Sequence, residues 1–166
     1  MTTDSKTIAV DAAPFIFPTR VYWEDTDAGG VVYHAQYVAF LERTRTEWLR
    51  ARGHAQERLR QTHDLVFAVR AMRLDFLRPA RLDDLLQVSA RIHQCKRASV
   101  VFAQTIERGG EVLLTAEVKV AALSASGFRP VALPQTLCKQ HGSRQTCLWA
   151  NRPAIADLSP QRRVTR

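Results

Sequence analysis

Glu24-Asp25-Thr26-Asp27-Ala28-Gly29-Gly30-Val31-Val32-Tyr33-His34 concentrates reactive side chains in one short stretch. A carboxylate can take a proton as a general base or attack as a nucleophile, and an imidazole can orient a substrate or move a proton. The paired glycines let the backbone come close to a ligand. A helical pattern begins directly after His34. Its first N–H groups lack intrahelical acceptors and carry partial positive charge, which suits a developing oxyanion. The same residue types also make an acidic helix-capping loop with a surface histidine. Residue types alone leave both readings open.

Other candidate chemistry is thinner. Lys96-Arg97 lie between two predicted strands, close to His93. A basic turn of this kind can hold phosphates, and it is also an ordinary exposed hairpin tip. Ser99 and Cys95 have no local partner motif that would activate them as nucleophiles. Neither GxxxxGK[ST] nor GxGxxG occurs, so nucleotide binding through those loops is not indicated. The cysteines are Cys95, Cys138 and Cys147. An odd, widely spaced set predicts free thiols in a reducing compartment, and no Cys/His spacing suggests zinc.

The elements that must position the acidic loop follow from periodicity. Pro14 and Pro18 bracket an extended lead-in, and Arg20 to Trp23 reads as a short strand. Tyr37, Phe40, Leu41, Thr44 and Trp48 recur at helical spacing and predict a helix from about Ala35 to Arg52, stopped by Gly53. At the usual rise it would be about 27 Å long, enough to lie across a sheet. Tyr33, Tyr37 and Trp48 read as core or subunit contacts. His54 to Asp64 allows a short second helix. Four strands follow: Leu65–Phe76; one alternating through Leu86, Val88, Ala90 and Ile92; Ala98–Glu107; and one alternating from Val112 to Ala122. Gly109-Gly110 marks a hairpin between the last two. The order of strand, long helix and four strands predicts an antiparallel α+β domain with the helix on one sheet face.

The chain has 166 residues, 46% hydrophobic and 24% charged. This fits one soluble globular domain and excludes a mainly disordered or collagen-like chain. No apolar run is long enough for a transmembrane helix, and residues 1–11 lack the pattern of a secretory signal. The formal net charge is +8. Much of it lies beyond Gln135, where Lys139, Arg144, Arg152, Arg162, Arg163 and Arg166 face only Asp157. A solvated tail or a contact with an anionic partner would both explain this.

Arg20 to Ala35 is similar to the signature of hotdog-fold acyl-CoA thioesterases. The stretch most resembles the Tol-Pal-associated, YbgC-type branch of the 4-hydroxybenzoyl-CoA thioesterase class. The resemblance continues through Tyr37-Val38-Ala39-Phe40-Leu41-Glu42-Arg43-Thr44-Arg45-Thr46-Glu47-Trp48-Leu49. It recurs at Arg78-Pro79-Ala80-Arg81-Leu82-Asp83-Asp84 and at Ala116-Glu117-Val118. It implies a hotdog fold, in which a curved antiparallel sheet wraps one long helix. The implied organisation is a loose lead-in over residues 1–18, a thioesterase domain over 19–134 and a basic extension over 135–166.

By resemblance, Asp27 is the catalytic carboxylate, acting as nucleophile or as general base toward water. His34 would help orient substrate or water, and a backbone N–H near it would be the oxyanion donor. Gly29, Gly30 and Val31 would shape the substrate loop, Tyr33 would line the acyl pocket, and Lys96 and Arg97 would hold the CoA phosphates. Glu24 and Asp25 would shape the loop. Coenzyme A enters only as part of the substrate, with no metal or other cofactor expected. The family pairs subunits edge to edge as homodimers or homotetramers, with active sites between chains. The branch is linked to acyl carrier protein and phospholipid-synthesis enzymes. That implies a cytoplasmic protein able to lie peripherally at the inner membrane. The alternatives are a scaffold that binds acyl carrier protein or a lipid enzyme with little hydrolysis, and, last, a nucleic-acid binder suggested by charge alone.

Overall fold

A computed structural model describes residues 13–138. One antiparallel sheet is built from β1 (Phe15–Arg20), β2 (Leu65–Phe76), β3 (Leu85–Lys96), β4 (Ser99–Arg108) and β5 (Glu111–Ser124). Its strand order is β1-β3-β4-β5-β2, which leaves β1 and β2 as the edges. The long helix α1 (His34–Ala51) and the short α2 (Gln56–His63) intervene between β1 and β2, and α3 (Gln135–Cys138) follows β5. This is the hotdog arrangement. Among the described residues no helix is long and apolar enough to cross a membrane.

Helix α1 buries Tyr37, Phe40, Leu41, Thr44, Arg45, Trp48 and Leu49. All but Arg45 and Leu49 are the stripe expected from helical spacing. The stripe packs with Leu86, Val88, Ala90 and Ile92 of β3 and with Val118, Val120 and Ala122 of β5 in a single core. Period-two alternation puts each of these strand sets on one sheet face. Gly109 and Gly110 both take positive φ, 56° and 84°, the backbone that a tight two-residue hairpin between twisted strands requires.

One charged side chain enters this apolar layer. Arg45 is 6% exposed. Its guanidinium donates to Gln104 Oε1 at 2.7 Å and to Glu42 Oε2 at 2.5 Å. Gln104, itself buried, donates back to the carbonyls of Leu41 and Ser89. Burial lowers the Arg45 pKa, and the Glu42 carboxylate opposes that shift. The network satisfies a charge that would otherwise be costly to bury.

The first strand differs from expectation. It ends at Arg20, where the sequence suggested that it begins, and Trp23–Asp25 forms a 3₁₀ turn. The reason is Asp25, whose carboxylate accepts the Tyr22 N–H at 2.8 Å and turns the chain. Pro18 lies within β1 opposite Gln87, a position open to proline because β1 is an edge. Cys95 is disulfide-bonded, which corrects the expectation of a free thiol at this residue. Within the expected extension over 135–166, Leu137 is 5% exposed and belongs to the core. The basic residues from Lys139 onward lie outside the described residues.

Candidate active site

The acidic loop is a closed backbone unit. Thr26 and Val32 form an isolated antiparallel bridge. Inside it the Asp27 N–H donates to the Val31 carbonyl, and the Gly30 N–H donates to the Asp27 carbonyl, each at 3.0 Å. Gly30 has φ of 73°, the left-handed region where a side chain would be strained. The Gly29 N–H donates to Asp27 Oδ1 at 2.8 Å. Asp27 is exposed, and its Oδ2 has no hydrogen-bond partner among the described residues. The carboxylate is therefore oriented by one oxygen and available through the other.

The loop is tied to the rest of the fold from three sides. The Tyr33 N–H donates to the Asp25 carbonyl at 2.8 Å, and the Val32 N–H donates to the Ala80 carbonyl at 2.9 Å. The Gln36 side-chain amide donates to the Glu24 carbonyl. Asp25 is 2% exposed and shapes the turn before the loop through the Tyr22 N–H. Glu24 is exposed. Helix α1 begins at His34, directly after Tyr33, so the His34 and Ala35 N–H groups have no intrahelical acceptors. The rings of Tyr33 and His34 lie against each other, with centroids 4.3 Å apart, and both residues are exposed. Asp27, Gly29, Gly30, Val31, Tyr33 and His34 thus share one surface at the start of α1.

Tyr37 supports this surface from below. It is 3% exposed, and its hydroxyl accepts the Ala80 N–H at 2.9 Å. Ala80 in turn holds the loop through Val32. Burial pushes the Tyr37 pKa up. The Ala80 bond opposes that shift, and the carboxylates of Asp84 and Asp27 add to it. Helical spacing marked Tyr37 only as a core or subunit contact. Nothing local in the sequence pairs it with a residue forty-three positions away.

Lys96 and Arg97 are exposed at the β3–β4 turn. The opposite end of β3 adjoins the acidic loop, because the Val21 N–H donates to the Asp84 carbonyl next to Leu85. The twelve residues of β3 separate the two ends by roughly 35 Å at the usual strand rise. One chain therefore does not bring Lys96 and Arg97 to Asp27.

At that far end a cleft opens between the C-terminal half of α1 and the sheet. It holds about 600 Å³ of empty space, its mouth included. Trp48, Phe67, Phe102, Leu133 and Leu137 line its apolar body, with Glu42, Arg45 and Gln56 as polar lining. The Leu133 N–H donates to the Arg97 carbonyl at 2.8 Å, so the basic turn adjoins the cleft. Among the described residues no group of three or more His, Cys, Asp or Glu side chains is placed to hold a metal ion.

Comparison with known proteins agrees with this geometry. The thioesterase superfamily profile matches residues 29–115. The acyl-CoA thioesterase YbgC of Haemophilus influenzae is 46% identical over 121 residues, covering 73% of this chain and 89% of that protein. The acyl-CoA thioesterase YbgC of Helicobacter pylori is 33% identical over 125 residues, covering 70% and 91%. The crystal structure of a probable thioesterase from Bartonella henselae superposes with a TM-score of 0.71 at 40% identity. That superposition covers 74% of this chain and all of the other. A chain that shares this profile, these relatives and this fold belongs to the thioesterase superfamily.

Proposed function

We propose that this protein hydrolyses acyl-CoA thioesters to coenzyme A and a carboxylic acid, with Asp27 as the reacting carboxylate. The observation that carries this reading is the loop geometry. An exposed carboxylate has one oxygen held by the Gly29 N–H and the other free, beside a helix start with unused N–H donors. The naming of relatives as acyl-CoA thioesterases supports the same reaction.

The thioester carbonyl oxygen points at the His34 and Ala35 N–H groups, which hold the negative charge that develops on it. On one route Asp27 Oδ2 takes a proton from water as the water oxygen attacks the carbonyl carbon. The carbon–sulfur bond then breaks, and the proton passes to the departing thiolate. On the other route Oδ2 attacks the carbonyl carbon and the carbon–sulfur bond breaks, releasing the thiolate; water then hydrolyses the mixed anhydride to the carboxylic acid, regenerates the Asp27 carboxylate and supplies the proton that the thiolate takes. His34 orients water or substrate at the loop, and Tyr33 lines the acyl group.

The reading also takes two copies to complete a site. The β2 edge carries exposed Val69 and Phe76 and is open to antiparallel pairing with a second β2. Such pairing sets the far end of one chain against the loop of the other. Lys96 and Arg97 would then reach the CoA phosphates of the partner's substrate. Coenzyme A as substrate fits a cytoplasmic setting.

The test is free-thiol release from a panel of acyl-CoAs, with wild-type protein compared with Asp27→Asn. Loss of about a hundredfold or more in a folded variant is the expected result for removal of a general base or nucleophile. Undiminished turnover by Asp27→Asn would overturn the assignment. In the same assay, ¹⁸O entering Asp27 during a single turnover in labelled water marks the anhydride route, with water attacking the Asp27 carboxyl carbon.

A further inference from the structure

Cys95 is disulfide-bonded, and the only other cysteines in the sequence are Cys138 and Cys147. The bond therefore ties the end of β3 to the chain beyond β5. Cys95 lies opposite Val100 in the sheet and packs against the core. Val100 lines the cleft, as do Leu133 and Leu137. The Leu133 N–H donates to the carbonyl of Arg97, two residues past Cys95. Leu137 is 5% exposed in the same core, and Cys138 follows it as the last residue of α3. The backbone thus carries Cys138 to the side of the cleft that Cys95 adjoins.

That side is lightly built. A helix as short as α3 has no stability of its own. It is tied by the buried Leu137 side chain and by a long contact, 3.4 Å, between Thr136 Oγ1 and His54 Nε2. The sheet, by contrast, is hydrogen-bonded strand to strand from β1 to β2. Breaking the disulfide therefore frees this side of the cleft before it disturbs the sheet. Lys96 and Arg97 directly follow Cys95 and are exposed. Positive charge there draws the anionic thiolate that attacks a disulfide. In reducing surroundings disulfides are mostly transient or redox-sensing.

We infer that Cys95 and Cys138 form a redox-sensitive strap beside the cleft. Oxidised, the strap holds Leu133 and Leu137 in place as one side of the cleft. Reduced, it releases residues 133–138 and opens the interior to apolar ligands. Two molecules of reduced glutathione supply the two electrons. The first forms a mixed disulfide with one cysteine and releases the other as a thiol. The second displaces the remaining cysteine thiol and leaves as glutathione disulfide.

Peptide mapping of the oxidised protein, with free thiols alkylated and no reductant, should link Cys95 to Cys138 and find Cys147 alkylated. A link from Cys95 to Cys147 overturns the assignment. Glutathione at its cytosolic ratio of reduced to oxidised forms should open the bond in the folded protein. A bond that survives is a structural clamp, and the switch is then refuted.

Amide hydrogen exchange locates the effect. The Leu133 and Leu137 N–H groups are both hydrogen-bonded. Their exchange should quicken about tenfold or more on reduction, while β3, β4 and β5 keep their protection. Unchanged exchange at these two amides, or lost protection throughout the sheet, overturns the strap. Entry of the apolar dye anilinonaphthalene sulfonate, followed by stopped-flow fluorescence, should quicken with the same opening. Cys138→Ser should show the fast entry without reductant, and Cys147→Ser should respond as wild type does. Equal entry rates in oxidised and reduced wild-type protein refute the opening. None of these readings needs turnover, so they stand or fall apart from the proposed reaction.

Discussion

Replacing Tyr37 by Phe deletes one oxygen atom and leaves the Ala80 N–H without its acceptor. Ala80 is fully buried, so water does not take the place of the hydroxyl. Leaving such a donor unpaired costs about 1–3 kcal/mol. The T-shaped ring contacts with Phe40 and Phe76 are kept, so the loss is assigned to the hydrogen bond. Urea unfolding followed by far-UV circular dichroism reads it directly. A second consequence falls on the loop, because Ala80 also accepts the Val32 N–H. Displacement of Val32 moves the start of α1 against Asp27, so kcat should fall more than KM rises. The pH dependence has a definite sign. The folded-state Tyr37 pKa is raised above its ordinary value of 10.0, chiefly by burial. The unfolded chain therefore ionises first. Wild-type stability from this group is complete below pH 10.0 and is lost as pH rises through the folded value. Tyr37→Phe removes that alkaline loss. A stability change below about 0.5 kcal/mol together with an unaltered kcat would refute the proposed brace.

Other substitutions probe the same supports. In Gly29→Ala the new Cβ would meet Asp27 Oδ1 at 3.0 Å. Thiol release should fall about 10- to 100-fold, while the melting temperature stays within a few degrees. An active Gly29→Ala would show that the Asp27 rotamer is unimportant. Gln104→Met removes the buried acceptor of Arg45 and should cost about 2–3 kcal/mol; an unchanged urea midpoint would mean that Glu42 alone satisfies the guanidinium.

The apolar stripe of α1 and the alternation of β3 and β5 were legible because both record burial on one face, which is a local property of residue order. The first strand was misplaced because Pro18 reads as a boundary until the strand is known to be an edge. The turn at Trp23–Asp25 depends on which backbone group the Asp25 carboxylate reaches. At the site, composition alone could not separate a catalytic loop from a capping loop, and the proposal of a catalytic loop draws on a long resemblance spanning loop and helix. The bond from Gly29 to Asp27 joins neighbours and is compatible with the sequence without being required by it. The Tyr37–Ala80 brace and the distance between Asp27 and Lys96 are set by strand order, which no periodicity encodes. The membership of Leu137 in the core was hidden because α3 is too short to show a period.

The two sheet edges are unlike, and this bears on how many copies can join. A sheet with two equivalent open edges could add chains without end. Here β2 offers twelve residues, whereas β1 offers six, one of which is Pro18 with no N–H to donate. Self-pairing consumes the long edge in both partners at once. What remains at each outer margin is the short, proline-bearing strand, a poor template for further growth. If two chains pair through β2, as the proposed function requires, the same asymmetry that accommodates Pro18 would make that pairing a terminating step, closing the continuous sheet at two chains instead of extending it into a filament.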